Sequence, residues 1–367
     1  MNDMEQMPDT RLQSQIAILQ LLPQETDLTS ISKKPSSRFA TFGAIAALAL
    51  TTTTLAGTGC GDPEPEFVPE PGGPTANNLQ LPPGFQDWPF IGVTRRTDNG
   101  TIRVITGNSI AVEAARAGNT DPWPNGSILA DLVWAQSDNP LWADMYGPGN
   151  FNALVTMHKN AENYEEDGGW AYGLWAGQDL LPSDNVMFDR DCVMCHMEFA
   201  PDNDDVFMRV AEMPNPGAAA SALSQPNGLT FPDNFADWRV IGVADREPDN
   251  GTIRVVLGND IAVDAARSGT TNPWPEGSII ADVVWDQGQN PDSEDMVAPT
   301  NFKAVALMEK DSTAFAATGN WGYGIWTGRD LAESTAPDHD AACYECHNDN
   351  AAGNDFVFTA VGQLPGL

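Results

Sequence analysis

The chain repeats itself. A stretch that begins near Pro82 recurs from near Pro232, and the two copies run in register to near Val210 and Leu364. Most of that register holds at an offset of 151 residues. Each copy is about the size of one domain, so the fold must be buildable twice from one pattern. A period this long predicts two units in tandem rather than a solenoid array. Phe85-x-Asp87-Trp88 returns as Phe235-x-Asp237-Trp238, and Asn99-Gly-Thr-Ile-Arg103 as Asn250-Gly-Thr-Ile-Arg254. Asn-Gly ahead of a β-rich apolar run predicts a hairpin or the start of a strand. Residues 110–118 and 261–269 read as short amphipathic helices stopped by Gly. Pro122-Trp-Pro-x-Gly-Ser-Ile and its twin from Pro273 form a turn feeding an apolar strand that ends at Trp134 or Trp285. A second strand is expected over 152–158 and 303–309. Trp170-Ala-Tyr172-Gly-Leu-Trp175 and Trp321-Gly-Tyr323-Gly-Ile-Trp326 alternate aromatics with Gly, as a strand packed closely on something flat does. The expected class is α+β, mainly antiparallel β, duplicated.

Each copy closes on the same chemistry: Cys192-Val-Met-Cys195-His196 in the first, Cys343-Tyr-Glu-Cys346-His347 in the second. Cys-x-x-Cys-His is the attachment pattern of c-type haem. Two thiols add across the vinyl groups and the adjacent His is placed to bind iron. A helix is expected through each signature. Of five cysteines four are used here, so no pair is left for a structural disulfide. Zinc is the alternative for Cys-x-x-Cys, but it needs a fourth ligand. The other histidines, His158 and His339, align with Glu309 and Phe188, so the copies share none. Two covalently bound haem c groups are therefore expected, with His196 and His347 on iron.

Ahead of the repeats, Lys33, Lys34 and Arg38 precede an apolar, Thr-rich run that ends in Leu55-Ala-Gly-Thr-Gly-Cys60. The run is too short and weak for a membrane span and fits an export signal. The small residues before Cys60 resemble a degenerate lipobox, which makes Cys60 a lipidation candidate; ordinary signal cleavage nearby is the alternative. Residues 61–81 are rich in Pro, Gly and acid and read as a tether. The expected organisation is a leader over 1–60, the tether over 61–81, a first haem domain over 82–212, a linker over 213–228 and a second haem domain over 229–367. The expected location is outside the bacterial cytoplasm, periplasmic or lipid-anchored.

The formal net charge of −33 argues against nucleic acid and anionic lipid as partners. It suits a basic redox protein, or simply solubility in salt. Arg103 and Arg254 are candidates for binding a ligand, a haem propionate or a neighbouring carboxylate.

Together, the Trp-Pro-x-Gly-Ser-Ile turn, the elements Met157-x-Lys159-Asn and Met308-x-Lys310-Asp, the Trp-x-Tyr-Gly stretch, and the terminal Cys-x-x-Cys-His with Val-Phe after it resemble the cytochrome P460 family. The resemblance covers nearly all of each copy. It implies a mostly antiparallel β fold, Cys192, Cys195, Cys343 and Cys346 as thioethers, His196 and His347 as proximal ligands, and an open opposite face on the iron. Members either oxidise hydroxylamine, with a lysine cross-linked to the haem, or bind small gases without that link. The cross-linking lysine belongs to the strand after the Pro-x-Gly turn, where this chain has Asp131 and Asp282. These become candidate distal groups, able to hydrogen-bond a ligand or move protons. The shared lysines, Lys159 and Lys310, lie one strand later and read as strand-end residues. The expected ligand is a small gas or nitrogen compound such as NO or hydroxylamine, with enzymatic turnover left open. Plain electron transfer, with a second ligand such as Met145, Met157, Met296 or Met308, is the alternative. Family members pair, so a dimer or an internal pseudo-dimer is expected.

Overall fold

A computed structural model describes residues 68–365 except 186–187, 215–218, 220–221 and 334–338. Cys60, the leader and the start of the tether lie outside the described residues. The rest forms one compact unit, mainly antiparallel β with few helices.

The strands of the first copy are β1 (Phe90–Arg96), β2 (Thr101–Gly107), β3 (Ile128–Asn139), β4 (Trp142–Lys159), β5 (Trp170–Ala176) and β6 (Leu181–Pro182). Those of the second are β7 (Arg239–Asp245), β8 (Thr252–Gly258), β9 (Ile279–Asn290), β10 (Ser293–Lys310), β11 (Trp321–Thr327) and β12 (Ala332–Glu333). The helices are α1 (Ser109–Ala117), α2 (Phe188–Phe199), α3 (Asp260–Ser268) and α4 (His339–Ala351), beside a single helical turn at Glu247–Asn250. Asn108 and Asn259 cap α1 and α3 by accepting the N–H of Ala111 and Ala262, and Gly118 and Gly269 end them in the left-handed region at φ 70°.

Each copy supplies four strands to one closed ring, β1-β2-β3-β4-β7-β8-β9-β10, sealed where β10 returns to β1. At the two seams Tyr146 of β4 faces Asp245 of β7, and Arg95 and Arg96 of β1 face Val297 and Met296 of β10. A sheet closed this way leaves no open edge among these eight strands. One apolar cluster fills the barrel and draws on both copies, including Val104, Leu132 and Trp134 from the first and Val255, Val283 and Trp285 from the second. Phe90 of the first copy lies 5.5 Å from the Trp285 ring of the second. Buried indoles need an acceptor. Trp285 donates to the Glu212 carbonyl at 2.8 Å and Trp134 to the Gln363 carbonyl at 3.0 Å, so each copy's tail reaches the other copy's β-hairpin.

Two expectations change. The long strands of each copy run well past the apolar stretches at 128–134, 152–158, 279–285 and 303–309. Their outer halves carry Gly147, Pro148 and Gly149 in the first copy and Pro299 in the second. Pro148 nonetheless pairs with Gln136, and Pro299 with Gln287, beside register shifts where a missing N–H is tolerated. The composition-based tether and linker also prove partly folded. Trp175 donates to the Gly73 carbonyl at 2.8 Å, and Asn77 and Asn227 donate to the backbone carbonyls of Tyr172 and Tyr323 at 2.9 and 3.0 Å. Polar side chains there satisfy strand carbonyls on β5 and β11, a role composition does not reveal.

Candidate functional site

The signature cysteines and histidines sit on α2 and α4, which dock on β5 and β11. The dock is a carboxylate in the first turn: Asp189 accepts the Tyr172 N–H at 2.7 Å, and Asp340 accepts the Tyr323 N–H at 2.8 Å. A helix N-terminus favours negative charge there. The spacing of three puts both cysteines of a signature on one helix face. Beyond each helix two consecutive residues take left-handed backbone, Asp204 and Asp205 at φ 49° and 61°, Asp355 and Phe356 at 48° and 66°. This turn brings the Asp205 carbonyl to 2.6 Å from His196 Nδ1 and the Phe356 carbonyl to 2.6 Å from His347 Nδ1. A carbonyl only accepts, so Nδ1 holds the proton and Nε2 keeps its lone pair for a metal. Tyr172 and Phe207 flank the His196 ring at 4.8 and 4.7 Å, and Tyr323 and Phe358 flank His347 at 5.0 and 4.8 Å. Burial pushes His196 down to about 4, against the opposing Asp205 hydrogen bond, and lowers His347 likewise. Both rings are therefore neutral near pH 7, the form that binds iron.

In the second copy Cys343, Cys346 and His347 line a cavity of about 270 Å3. Its floor is one face of the sheet. Arg254 and Val256 of β8, Ile280 and Asp282 of β9, and Ala306 and Met308 of β10 line it. The intervening Val255 and Ala281, and Val283 beyond Asp282, belong to the barrel core, whereas Leu307 of β10 belongs to that core and also borders the cavity. The period-2 alternation of each strand thus divides core from cavity. Asn139, Trp142 and Met145 complete the wall, and all three come from the first copy.

The Arg and Asp candidates meet within each copy. Arg254 Nη1 donates to Asp282 Oδ2 at 2.6 Å, and Arg103 Nη1 to Asp131 Oδ2 at 3.0 Å. Burial raises the Asp131 pKa, opposed by Arg103, and lowers that of Arg103, opposed by Asp131. The other carboxylate oxygen, Oδ1 of Asp131 and of Asp282, is buried without a protein partner. Such an atom is costly unless something donates to it.

Among the described residues no lysine lines the cavity. Lys310 Nζ is 2.7 Å from Asp355 Oδ1 and lies 4.9 Å over the Trp321 ring. Lys159 repeats this with Asp204 at 2.7 Å and Trp170 at 4.8 Å. Lys303 pairs with Asp286.

These residues fit a covalently bound haem. Two thiols and a neutral imidazole with its Nε2 uncommitted share one largely apolar cavity, and Asp282, one of whose oxygens has no protein partner, lines the same space. Cys192 is pushed up to about 12 and Cys343 to about 11 by burial. A neutral thiol is the form that becomes a neutral thioether. The site has the donor set of a c-type haem protein. A sequence model of the family Cytochrome P460 matches residues 82–208 and 232–359, more than half of the chain. The chain therefore belongs to the cytochrome P460 family, with two tandem family domains, and the family implies haem c as cofactor. No curated protein sequence matches the chain.

Sequence reasoning missed Asp189 and Asp340, Asn77 and Asn227, and Asn139 and Asn290. A signal existed, because Asp189 and Asp340, and likewise Asn139 and Asn290, recur at the same offset of 151, and both aspartates stand three residues before a signature Cys.

Proposed function

We propose that the chain is an exported dihaem c-type cytochrome that binds or redox-converts small nitrogen ligands, such as nitric oxide or hydroxylamine. The observation that carries this reading is the second-copy cavity, where signature residues share a small apolar space with the half-buried Arg254–Asp282 pair. Cys192, Cys195 and His196 would hold one haem, and Cys343, Cys346 and His347 the other. Haem c, when bound, supplies an iron that takes small ligands and exchanges single electrons. The protein's own part is to hold His347 by its Nδ1–H, exclude water with apolar walls, and offer Asp282 Oδ1 to a hydrogen-bond donor. Arg254 and Arg103 hold those carboxylates in place. Asp282 in place of the cross-linking lysine, with no lysine among the described residues that line the cavity, supports gas binding over cross-link-dependent hydroxylamine oxidation.

The absorption spectrum of the haem-loaded chain, oxidised and reduced, tests this. A five-coordinate ferrous spectrum that changes with NO or CO is expected. A low-spin spectrum indifferent to both would leave electron transfer, a reading with its own support because Met145 and Met308 line the cavity. A strongly red-shifted ferrous Soret band would restore a cross-link.

Lipidation at Cys60, export and a basic redox partner belong to the same proposal. Mass spectrometry of the mature N-terminus tests the first, and salt-dependent electron transfer with a cationic protein tests the last. Strand pairing between copies supports one chain serving as its own pseudo-dimer, and a solution mass of two chains would count against it.

A further inference from the structure

The two haem-attachment segments are each held by the copy that does not contain them. Asn139 ends β3 of the first copy. Its Oδ1 accepts the Leu141 N–H at 2.8 Å and pins its own hairpin. Its Nδ2 donates at 2.9 Å to the carbonyl of Phe358, in the second copy. Asn290 ends β9 and mirrors this: Oδ1 accepts the Asp292 N–H at 2.8 Å, and Nδ2 donates at 2.8 Å to the carbonyl of Phe207, in the first copy. Both side chains are buried, at 6 % and 2 % exposure. A buried amide held at both ends is a fixed strut, because losing either bond strands a polar group.

The struts end where it matters for iron. Phe358 packs edge-on against His347, and two residues earlier the Phe356 carbonyl accepts the His347 Nδ1–H. Phe207 and Asp205 do the same for His196. Moving either carbonyl strand would turn the imidazole and change how strongly it donates. One further contact exists only at the second site. Trp142 of the first copy packs edge-on to Phe358 at 5.4 Å, where the first site has Ser293 in its place.

We propose that Asn139 is a positioning residue for the His347 site and Asn290 for the His196 site, so each haem is tuned from the opposite copy. This rests on the reading of His196 and His347 as iron ligands. β3 thus carries Asp131 of one site and Asn139 of the other.

The test uses the full chain in two single-haem backgrounds, Cys192→Ala with Cys195→Ala, and Cys343→Ala with Cys346→Ala. Asn139→Ser keeps an acceptor for Leu141 but is too short to reach Phe358. Asn139→Asp, which keeps the turn and loses the donor, serves if the first variant does not fold. Midpoint potential and the ferrous Fe–His stretching frequency are read. Asn139→Ser should change the oxidised-to-reduced ratio of the haem on Cys343 and Cys346 by roughly threefold to tenfold, tenfold being ~59 mV for one electron. It should leave the haem on Cys192 and Cys195 unchanged, and Asn290→Ser should do the reverse. Shifts that follow the substituted copy, affect both haems equally, or do not occur overturn the inference. Haem content of the unsubstituted chain separates the premises: no covalent haem sinks the site reading itself, whereas haem present without a crossed effect sinks only this inference.

Discussion

Lys310 offers a direct test of the structural role of the two shared lysines. Its ammonium and the Asp355 carboxylate are 5 % and 9 % exposed at 2.7 Å, and Asp355 Oδ2 also accepts the Trp274 N–H at 2.8 Å. Lys310→Met keeps most of the aliphatic stem and removes the ammonium, which pairs with Asp355 and lies over Trp321. Breaking a buried pair from one side costs about 3–5 kcal/mol, because the other charge is left uncompensated. The surviving Trp274 hydrogen bond puts the expectation at the low end, about 3 kcal/mol. With an unfolding entropy of about 2.1 cal/mol/K per residue over ~300 residues, that is a fall in Tm of roughly 5 °C. Adding Asp355→Asn to Lys310→Met removes the stranded charge and should recover part of the loss. Calorimetry of the haem-loaded chain reads both, and the ferrous Soret band should stay put throughout. A Tm loss under about 1 °C, a double variant no better than the single one, or a moved Soret band would refute the structural role of Lys310.

Three further outcomes are expected. Asp282→Asn should weaken a ligand that donates to Oδ1, such as hydroxylamine, by about 1.5–3 kcal/mol while leaving carbon monoxide affinity in place, checked by spectroscopic titration of the second site. Asp87 of the first copy is paired with Arg267 and Arg239 of the second; burial raises its pKa, but the two arginines outweigh that and hold it below 3.8. A lowered carboxylate pKa gives stability present above 3.8 and lost as pH falls through the folded value. The wild type should therefore exceed Asp87→Asn in Tm at neutral pH, with the gap closing in acid. Gly324→Ala places a methyl 2.8 Å from Leu229 and from the Trp326 ring, so overpacking should cost about 1–3 kcal/mol by denaturant unfolding.

Much of the candidate site was legible because its residues are close in sequence or recur at one offset. Cys-x-x-Cys-His on a helix needs only local geometry, and strand periodicity already separates Asp282 from Val283. The Arg254–Asp282 contact was not legible, since it depends on β8 lying beside β9 in one register, with Arg254 opposite Val284. The fate of Lys310 was half legible. Its place at a strand end followed from the pattern, whereas its partner Asp355 is 45 residues away and reaches it through a left-handed turn. Strand length was misread: the first long strand was expected to end at Trp134 or Trp285, yet β3 and β9 run on to Asn139 and Asn290.

By itself the sequence determined the duplication, the β-rich pattern of each copy, and the chemistry of the two attachment signatures, all of which rest on local spacing and side-chain identity. Tertiary structure alone decided that the copies share a barrel and that the second copy's cavity wall is completed from the first. The bond from Asn139 to the Phe358 carbonyl spans 219 residues. Alternation tells which face of a strand is buried. It does not tell which distant segment lies across that face, because that choice is made by packing summed over the whole core.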